Sequence, residues 1–376
     1  MKRVLVTGGA NIGRAGVATI VYKWGQEFDS NKLVYDYLMQ RGLPAQQYVE
    51  AIVQKGGKVF TMEGESRNLF SIIKWVEEII RENKYDTIHI NTDTAYIAAA
   101  YIYAAKKGGI RHIFVHSHCT QVDDNSKLKR SIKTLFHRIL VPYVCKNSER
   151  YLACSKLAGY WMFGKKNVES NKYKTIYNGV VVESYLYNEQ VRKTYREQMG
   201  LSGKLVIGNI GRFSYQKNHK FLIEVFTELS KTDGSAVLVL VGTGELESQL
   251  KALVNEYGIT DKVFFLGTRM DVPLLLSMFD VLVMPSRFEG LPVTIVEAQM
   301  NSLPCIVADS ITREAQFTET VNFITGWGKD EWVGAIRHAV KVGRLSTPDN
   351  LFKSKFNIHS AARELQQLLL ELEDNQ

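Results

Sequence analysis

Short apolar runs of strand length, separated by stretches with helical spacing, recur along this chain and constrain its fold more than any other feature. A first series has a strand pattern at residues 2–7, a helical one at 17–24, and further strands at 87–90, 113–116 and 151–153. A second series begins at 205–211 and continues at 236–241, 263–266, 281–284 and 305–308. Strands that alternate with helices form a parallel sheet covered on both faces. The 376 residues exceed what one hydrophobic core usually serves, so two doubly wound α/β units are expected. The expected crossing point is Asn178-Gly179, with units at 1–178 and 179–357. In open α/β sheets ligands collect at the carboxyl ends of the strands. His116, Gly211-Arg212 and Glu289 all fall at such ends.

Composition narrows the class. No apolar run reaches the roughly 18 residues of a spanning helix, and the amino terminus lacks signal-peptide order. A cytosolic protein is expected. Cys119, Cys145, Cys154 and Cys305 have neither metal-ligand spacing nor the density of a secreted framework, which predicts free thiols. Charge is uneven: residues 1–178 hold 27 Lys and Arg against 15 Asp and Glu, net +12, and the remainder 20 against 24, net −4. No zinc finger, RRM signature or basic zipper accompanies the basic half, so no nucleic-acid partner is expected, and an anionic membrane or lipid diphosphate accounts for the charge equally well.

The densest chemistry lies at Arg287-Phe288-Glu289-Gly290-Leu291-Pro292 and the residues after it. Pro285 ends an apolar strand, and Pro292 suits the first position of a helix, where its missing N–H costs nothing. Glu289 then lies in the loop and Glu297 in the second helical turn. The free backbone N–H groups of the 290–293 stretch lie between the two carboxylates, a dipole-assisted seat for a diphosphate. Val293, Val296 and Met300 make the helix largely apolar, so Glu297 needs a partner. Upstream, Arg212 and Lys217 flank a strand-to-helix turn that Asn218 can cap, with Phe221, Leu222, Val225, Phe226 and Leu229 as the buried stripe. Two cations at such a turn suit a diphosphate, although an isolated Arg and Lys are more often solvated surface charges.

The Glu289-x7-Glu297 pattern with Ala298-Gln299 and Leu303-Pro304-Cys305-Ile306 resembles the retaining glycosyltransferases of family 4. The resemblance extends through Asp86-Thr87-Ile88-His89, His116-Ser117-His118, Ala153-Cys154-Ser155, Asn178-Gly179, Gly211-Arg212-Phe213, Gly242-x-Gly244 and Phe265-Leu266-Gly267. It is nearest to the bacterial members that build capsular and exopolysaccharide repeat units. The resemblance implies a GT-B fold, with two Rossmann-like domains facing across a cleft and a carboxy-terminal helix, about 358–376, returning to the first. It implies a UDP-sugar donor and a glycan acceptor, lipid-linked and reached at the inner face of the membrane. No metal or other cofactor is expected, which fits the lack of an Asp-x-Asp. His116 then takes the position facing the transferred sugar. Gly16, Arg212, Lys217, Arg269, Glu289, Gly290, Leu291, Pro292 and Glu297 take the donor side, Glu297 on the ribose and Glu289 on the sugar. His118, read as lying on the opposite side of an extended backbone, is the weaker candidate. Relatives commonly carry Asn where Cys119 stands, and Ala15 replaces the first glycine of the family's Gly-Gly loop.

Two further motifs admit other readings. Thr7-Gly8-Gly9-Ala10-Asn11-Ile12-Gly13 has its glycines at the wrong offsets for a dinucleotide loop, and Tyr103 with Lys107 comes too early for a short-chain dehydrogenase pair. Leu128, Ile132, Leu135 and Ile139 form a helical stripe among Lys127, Lys129, Arg130, Lys133 and Arg138. It reads equally as a core-facing helix or as a contact with anionic lipid. Two rivals to a transferase remain: a nucleotide-sugar epimerase of the same fold, and a nucleotide-sugar-binding subunit without turnover.

Overall fold

The computed structural model describes residues 1–8, 12, 16–40, 44–62, 68–345 and 351–371. The chain divides into two compact units. One comprises residues 1–122, 127–179 and those from Lys355 on; the other comprises Asp123–Ser126 and Val180–Ser354. The short Asp123–Ser126 segment thus groups with the second unit.

The first unit is built on a seven-stranded sheet: β1 Lys2–Val6, β2 Leu33–Met39, β3 Val59–Thr61, β4 Thr87–Thr92, β5 His112–Ser117, β6 Arg150–Ala153 and β7 Tyr173–Thr175. Their order is β3-β2-β1-β4-β5-β6-β7, parallel throughout. The second unit has β8 Leu205–Ile210, β9 Ala236–Val241, β10 Val263–Phe265, β11 Val281–Met284, β12 Cys305–Ala308 and β13 Val321–Ile324, ordered β10-β9-β8-β11-β12-β13. Both sheets are therefore doubly wound with the same 3-2-1-4-5 order, and each reverses direction beside its first strand.

Why these strands form is plain for β9, whose six residues are all apolar and all buried, as a strand covered on both faces requires. The second strand, β2, is less obvious, because Asp36 interrupts its apolar run and is itself fully buried. Arg3 grips that carboxylate with Nε and Nη2 at 2.8 and 2.6 Å, Tyr85 donates its hydroxyl, and Lys58 donates its backbone N–H at 2.6 Å. Without those partners the buried charge would cost several kcal/mol. The sequence reading did not mark β2, nor the short edge strands β3 and β13.

The helix Ile358–Leu370 lies in the first unit. It buries Ile358, Ala361, Ala362, Leu365 and Leu369, and it is tied down by Lys174 to Glu364 at 2.9 Å and by His359 to Glu27. Gly179 admits it: a Cβ there would stand 2.6 Å from Ile358 Cα, so only glycine lets the two backbones approach.

Candidate active site

In the second unit, the loop after β11 and the turn after β8 interlock. Pro285 ends β11 and the following helix runs Val293–Met300. Pro292 occupies the capping position just outside that helix, with φ −71° and ψ 108°, rather than its first turn. Glu289 lies in the loop with its side chain only 7% exposed. Lys217 Nζ lies 2.7 Å from its Oε1, and Gln216 Nε2 donates to its Oε2 at 3.0 Å and to the Phe288 carbonyl at 3.0 Å. The Arg287 N–H donates to the Gln216 carbonyl, and Arg287 Nη2 donates to Asn218 Oδ1 at 2.7 Å. Asn218 therefore does not cap the helix His219–Thr232 with its side chain, as the sequence reading had it. It takes φ +55° at the capping position while its amide holds Arg287. The stripe Phe221, Leu222, Val225, Phe226 and Leu229 of that helix is buried as expected.

Glu297 is also buried. Its partner is Tyr185, whose hydroxyl donates to Oε1 at 2.6 Å from the short helix Val182–Tyr185. The Asn301 side chain donates to the Tyr185 carbonyl at 2.8 Å, so the tyrosine is held at both ends of its reach. Gly290 and Leu291 lie buried between the two acids along the chain.

The remaining second-unit candidates have carboxylate partners of their own. Arg212 is 68% exposed and pairs with Glu245 at 2.9 Å; an exposed pair is worth about 0–1 kcal/mol, so the guanidinium is easily released. Arg269 is engaged by Asp271, which also accepts the Tyr195 hydroxyl. The glycines of this region serve close backbone packing. A Cβ on Gly242 would meet the Gly211 carbonyl at 2.1 Å, and one on Gly244 would meet that of Phe213 at 2.4 Å.

In the first unit His116 sits near the carboxyl end of β5, fully buried. His89 on β4 lies beside it, with Nε2 3.2 Å from His116 Nδ1, and the Tyr35 hydroxyl lies 2.6 Å from His89 Nδ1. Trp24 stacks nearly parallel to His116 at 5.2 Å. The His118 ring is stacked on His116 at 4.4 Å, which corrects the expectation that it lies on the other side: residues two apart in a strand share a face. Its Nε2 is 2.9 Å from Asn91 Oδ1. Burial pushes His89 and His118 down to about 3 and His116 well below its ordinary value, so the trio is neutral at physiological pH. Gly16 opens the helix Gly16–Glu27, and a Cβ there would meet nothing within 4 Å. Gly9, Ala10, Asn11, Gly13 and Ala15 of the preceding loop lie outside the described residues.

Two neighbours of the candidate residues, Gln216 and Tyr185, carry no signal in the sequence, and His89 is quoted there only as the end of Asp86-Thr87-Ile88-His89, without a role. His89 had a further signal in the sequence. Its spacing to Asn91 repeats that of His116 to His118, and β4 pairs with β5 with Asn91 opposite His116. Among the described residues no group of three metal-ligating side chains converges, and no helix is long and apolar enough to cross a membrane.

Two family models match this chain: Glycosyltransferase Family 4 over residues 14–184 and Glycosyl transferases group 1 over residues 191–347. It is 33% identical over 354 residues to the putative glycosyltransferase EpsF of Bacillus subtilis (strain 168), covering 91% of this chain and 89% of that one. It is 27% identical to the UDP-Gal:alpha-D-GlcNAc-diphosphoundecaprenol alpha-1,3-galactosyltransferase of Escherichia coli, over 65% of this chain and 62% of that one. Among solved structures, HepE of Anabaena in complex with UDP-glucose aligns with a TM-score of 0.73 at 19% identity, over 98% of this chain and 95% of the other. Sucrose-phosphate synthase of Thermosynechococcus elongatus aligns with a TM-score of 0.79 at 15% identity over 100% of both chains. Two doubly wound sheets of one order, matched along their length by glycosyltransferase relatives, place this chain in glycosyltransferase family 4, with the GT-B fold.

Proposed function

We propose that this enzyme is a retaining hexosyltransferase that moves a hexose or hexosamine from a UDP-sugar to a lipid-linked glycan in polysaccharide biosynthesis. The observation that carries the reading is the buried Gln216–Lys217–Glu289 cluster beside the helix Val293–Met300. A fixed carboxylate beside the amino-terminal end of that helix, whose dipole favours negative charge, suits a sugar joined to a diphosphate. In this reading Glu297, steadied by Tyr185, accepts from the ribose hydroxyls and Glu289 accepts from those of the sugar. Arg212, Lys217 and Arg269 offset the diphosphate charge, helped by the backbone N–H groups of Gly290 and Leu291, while Pro292 fixes the turn into the helix; Gly16 stays a donor-side candidate. That the Anabaena neighbour was solved with UDP-glucose, and that the Escherichia coli relative is named for a UDP-Gal donor, supports this choice.

In such a transfer the bond from C1 to UDP breaks and its electron pair leaves on the diphosphate. The acceptor oxygen joins C1 on the same face, and the acceptor proton passes to the departing phosphate. Charge on the leaving group grows through the transition state, so cations placed there before the reaction lower the barrier. His116 suits a hydrogen bond to the sugar's hydroxymethyl group. Its neutrality matters, because an imidazolium would oppose the positive charge that develops at C1. No metal is invoked, since these cations supply the positive charge.

The helix Lys127–Asn147 supports a membrane-borne acceptor. Leu128, Ile132, Leu135, Phe136 and Ile139 are exposed, Leu128 at 70%, whereas His137 and Val144 on the far side of the helix are buried. The stripe is therefore not the core-facing one. An outward apolar face bordered by Lys127, Lys129 and Arg138 matches an anionic lipid surface. The decisive experiment incubates purified protein with UDP-hexoses, UDP-hexosamines and an undecaprenyl-diphosphate glycan, then determines product anomeric configuration by NMR. An α-linked product from an α-donor is expected. Inverted product, or free epimerised sugar without an acceptor, would overturn the reading.

A further inference from the structure

His116 is held from behind by a chain of two hydrogen bonds that fixes which of its nitrogens carries the proton. Tyr35 on β2, His89 on β4 and His116 on β5 are all buried, and the contacts run from Tyr35 Oη to His89 Nδ1 and from His89 Nε2 to His116 Nδ1. Among the described residues the Tyr35 hydroxyl has no partner but His89. If it donates, His89 carries its proton on Nε2 and donates to His116 Nδ1, which leaves His116 as the Nε2–H tautomer. In the reverse order His116 Nδ1–H donates to His89, His89 Nδ1–H donates to Tyr35, and a buried phenol hydrogen has no acceptor. Either order leaves one buried donor short of a full hydrogen bond, the phenol hydrogen in the second and His116 Nε2–H in the first, and the first is favoured because the Ile176 carbonyl lies by His116 to accept its proton.

Two further observations agree. A doubly protonated ring anywhere in the chain is disfavoured, because burial lowers the basicity of all three histidines of this cluster and their charges would repel. The Ile176 carbonyl, which can only accept, is the backbone group that favours a proton on His116. It falls short of full hydrogen-bond geometry, so His116 Nε2 has no formed partner among the described residues. His118 is set separately. Asn91 Nδ2 donates to the Thr7 carbonyl at 3.2 Å, which turns Asn91 Oδ1 toward His118 Nε2–H.

We infer that Tyr35 and His89 are positioning residues that hold His116 as the neutral Nε2–H tautomer, so that it offers the substrate a hydrogen-bond donor rather than an acceptor or a cation. The inference deepens the role proposed for His116 above and rests on it. A donor at this place fits a hydroxyl oxygen of the transferred sugar. An Nδ1–H tautomer would present a lone pair there and would leave an oxygen without a hydrogen bond.

The test labels the full chain with ¹⁵N-histidine and reads the tautomer of each ring from long-range ¹H–¹⁵N correlations near pH 7.5, assigning His116 by the signals lost in His116→Gln. The wild type should show one Nε2–H tautomer at His116. His89→Leu removes the donor to Nδ1 and should abolish that single-tautomer pattern; kcat should fall by at least about tenfold with UDP affinity unchanged. His89→Gln, whose Nε2 can take the place of the imidazole Nε2–H, should restore both. Tyr35→Phe is close to isosteric, so it tests the same chain should His89→Leu not fold. An Nδ1–H or charged His116 in the wild type, or an unaltered tautomer and kcat in both His89→Leu and Tyr35→Phe, would overturn the inference. The tautomer is read without turnover, so absence of transfer with every UDP-sugar would strike the proposed function and not the relay.

Discussion

Acid should unfold the first unit well before the second, because the two hold unequal numbers of imidazoles that folding keeps neutral. His89, His116, His118 and His137 lie buried in the first unit, and His219 in the second. Burial lowers all five: His89, His118 and His219 to about 3, His137 to about 4, and His116 well below its ordinary value. The folded value lies below the unfolded one, so the unfolded chain takes up protons first as pH falls. The stability these rings contribute is whole above about pH 6.5 and is lost progressively as pH falls toward 3. One pH unit below the ordinary value, at pH 5.5, each ring that stays neutral in the fold costs about 1.4 kcal/mol relative to neutral pH. Four such rings cost the first unit about 5–6 kcal/mol, against about 1.4 kcal/mol for the second. The larger figure is comparable to the whole stability of an ordinary domain. Hydrogen exchange at pH 7.5 and 5.5, corrected for intrinsic rates, reads the two units separately through β4–β5 and β8–β9. Protection should collapse in the first pair of strands and persist in the second. Equal loss in both, or a first unit unchanged at pH 5.5, would refute the argument that these imidazoles are neutral because they are buried.

Replacing Lys217 by Met removes the counter-charge of the buried Glu289 carboxylate, leaving it the neutral Gln216 amide, and should destabilise the second unit by about 3–5 kcal/mol in urea melts, most of which Glu289→Gln in the same chain should restore. Calorimetry on Lys217→Met should also show weaker UDP binding; unchanged affinity would remove this lysine from the diphosphate. Tyr185→Phe removes the hydrogen bond that steadies Glu297 and should weaken UDP binding by about 1–2 kcal/mol, whereas Glu289→Gln should depress turnover by about 10²-fold and leave UDP affinity near wild type. Equal loss of UDP affinity in the Glu297→Gln and Glu289→Gln variants would end that division of labour. Cosedimentation with anionic vesicles should be sensitive to salt. It should be lost both in Leu128→Ser with Ile139→Ser and in a triple change of Lys129, Arg130 and Lys133 to Glu, each basic residue contributing about 1 kcal/mol. Association that persists in either variant would move the docking surface elsewhere.

Features that near neighbours along the chain decide can be read from the residues alone. The six apolar residues of β9, the stripe on the helix His219–Thr232 and the end of β11 at Pro285 each follow from spacing of a few residues. The candidate acids were legible for the same reason, since one loop and one helix carry both. Tertiary structure decided everything that depended on a partner far away. The second strand, β2, is a buried strand only because Arg3 and Tyr85 satisfy Asp36. Asn218 looks like a cap in the sequence, yet Arg287, remote along the chain, claims its oxygen. Glu297 needed a partner, and nothing local pointed to Tyr185. The stripe Leu128 to Ile139 has the period of a buried face, and only the packing of His137 and Val144 turns it outward. Periodicity reports which residues share a face, whereas the partner of a buried polar atom is set by where the folded chain brings a second group within about 3 Å.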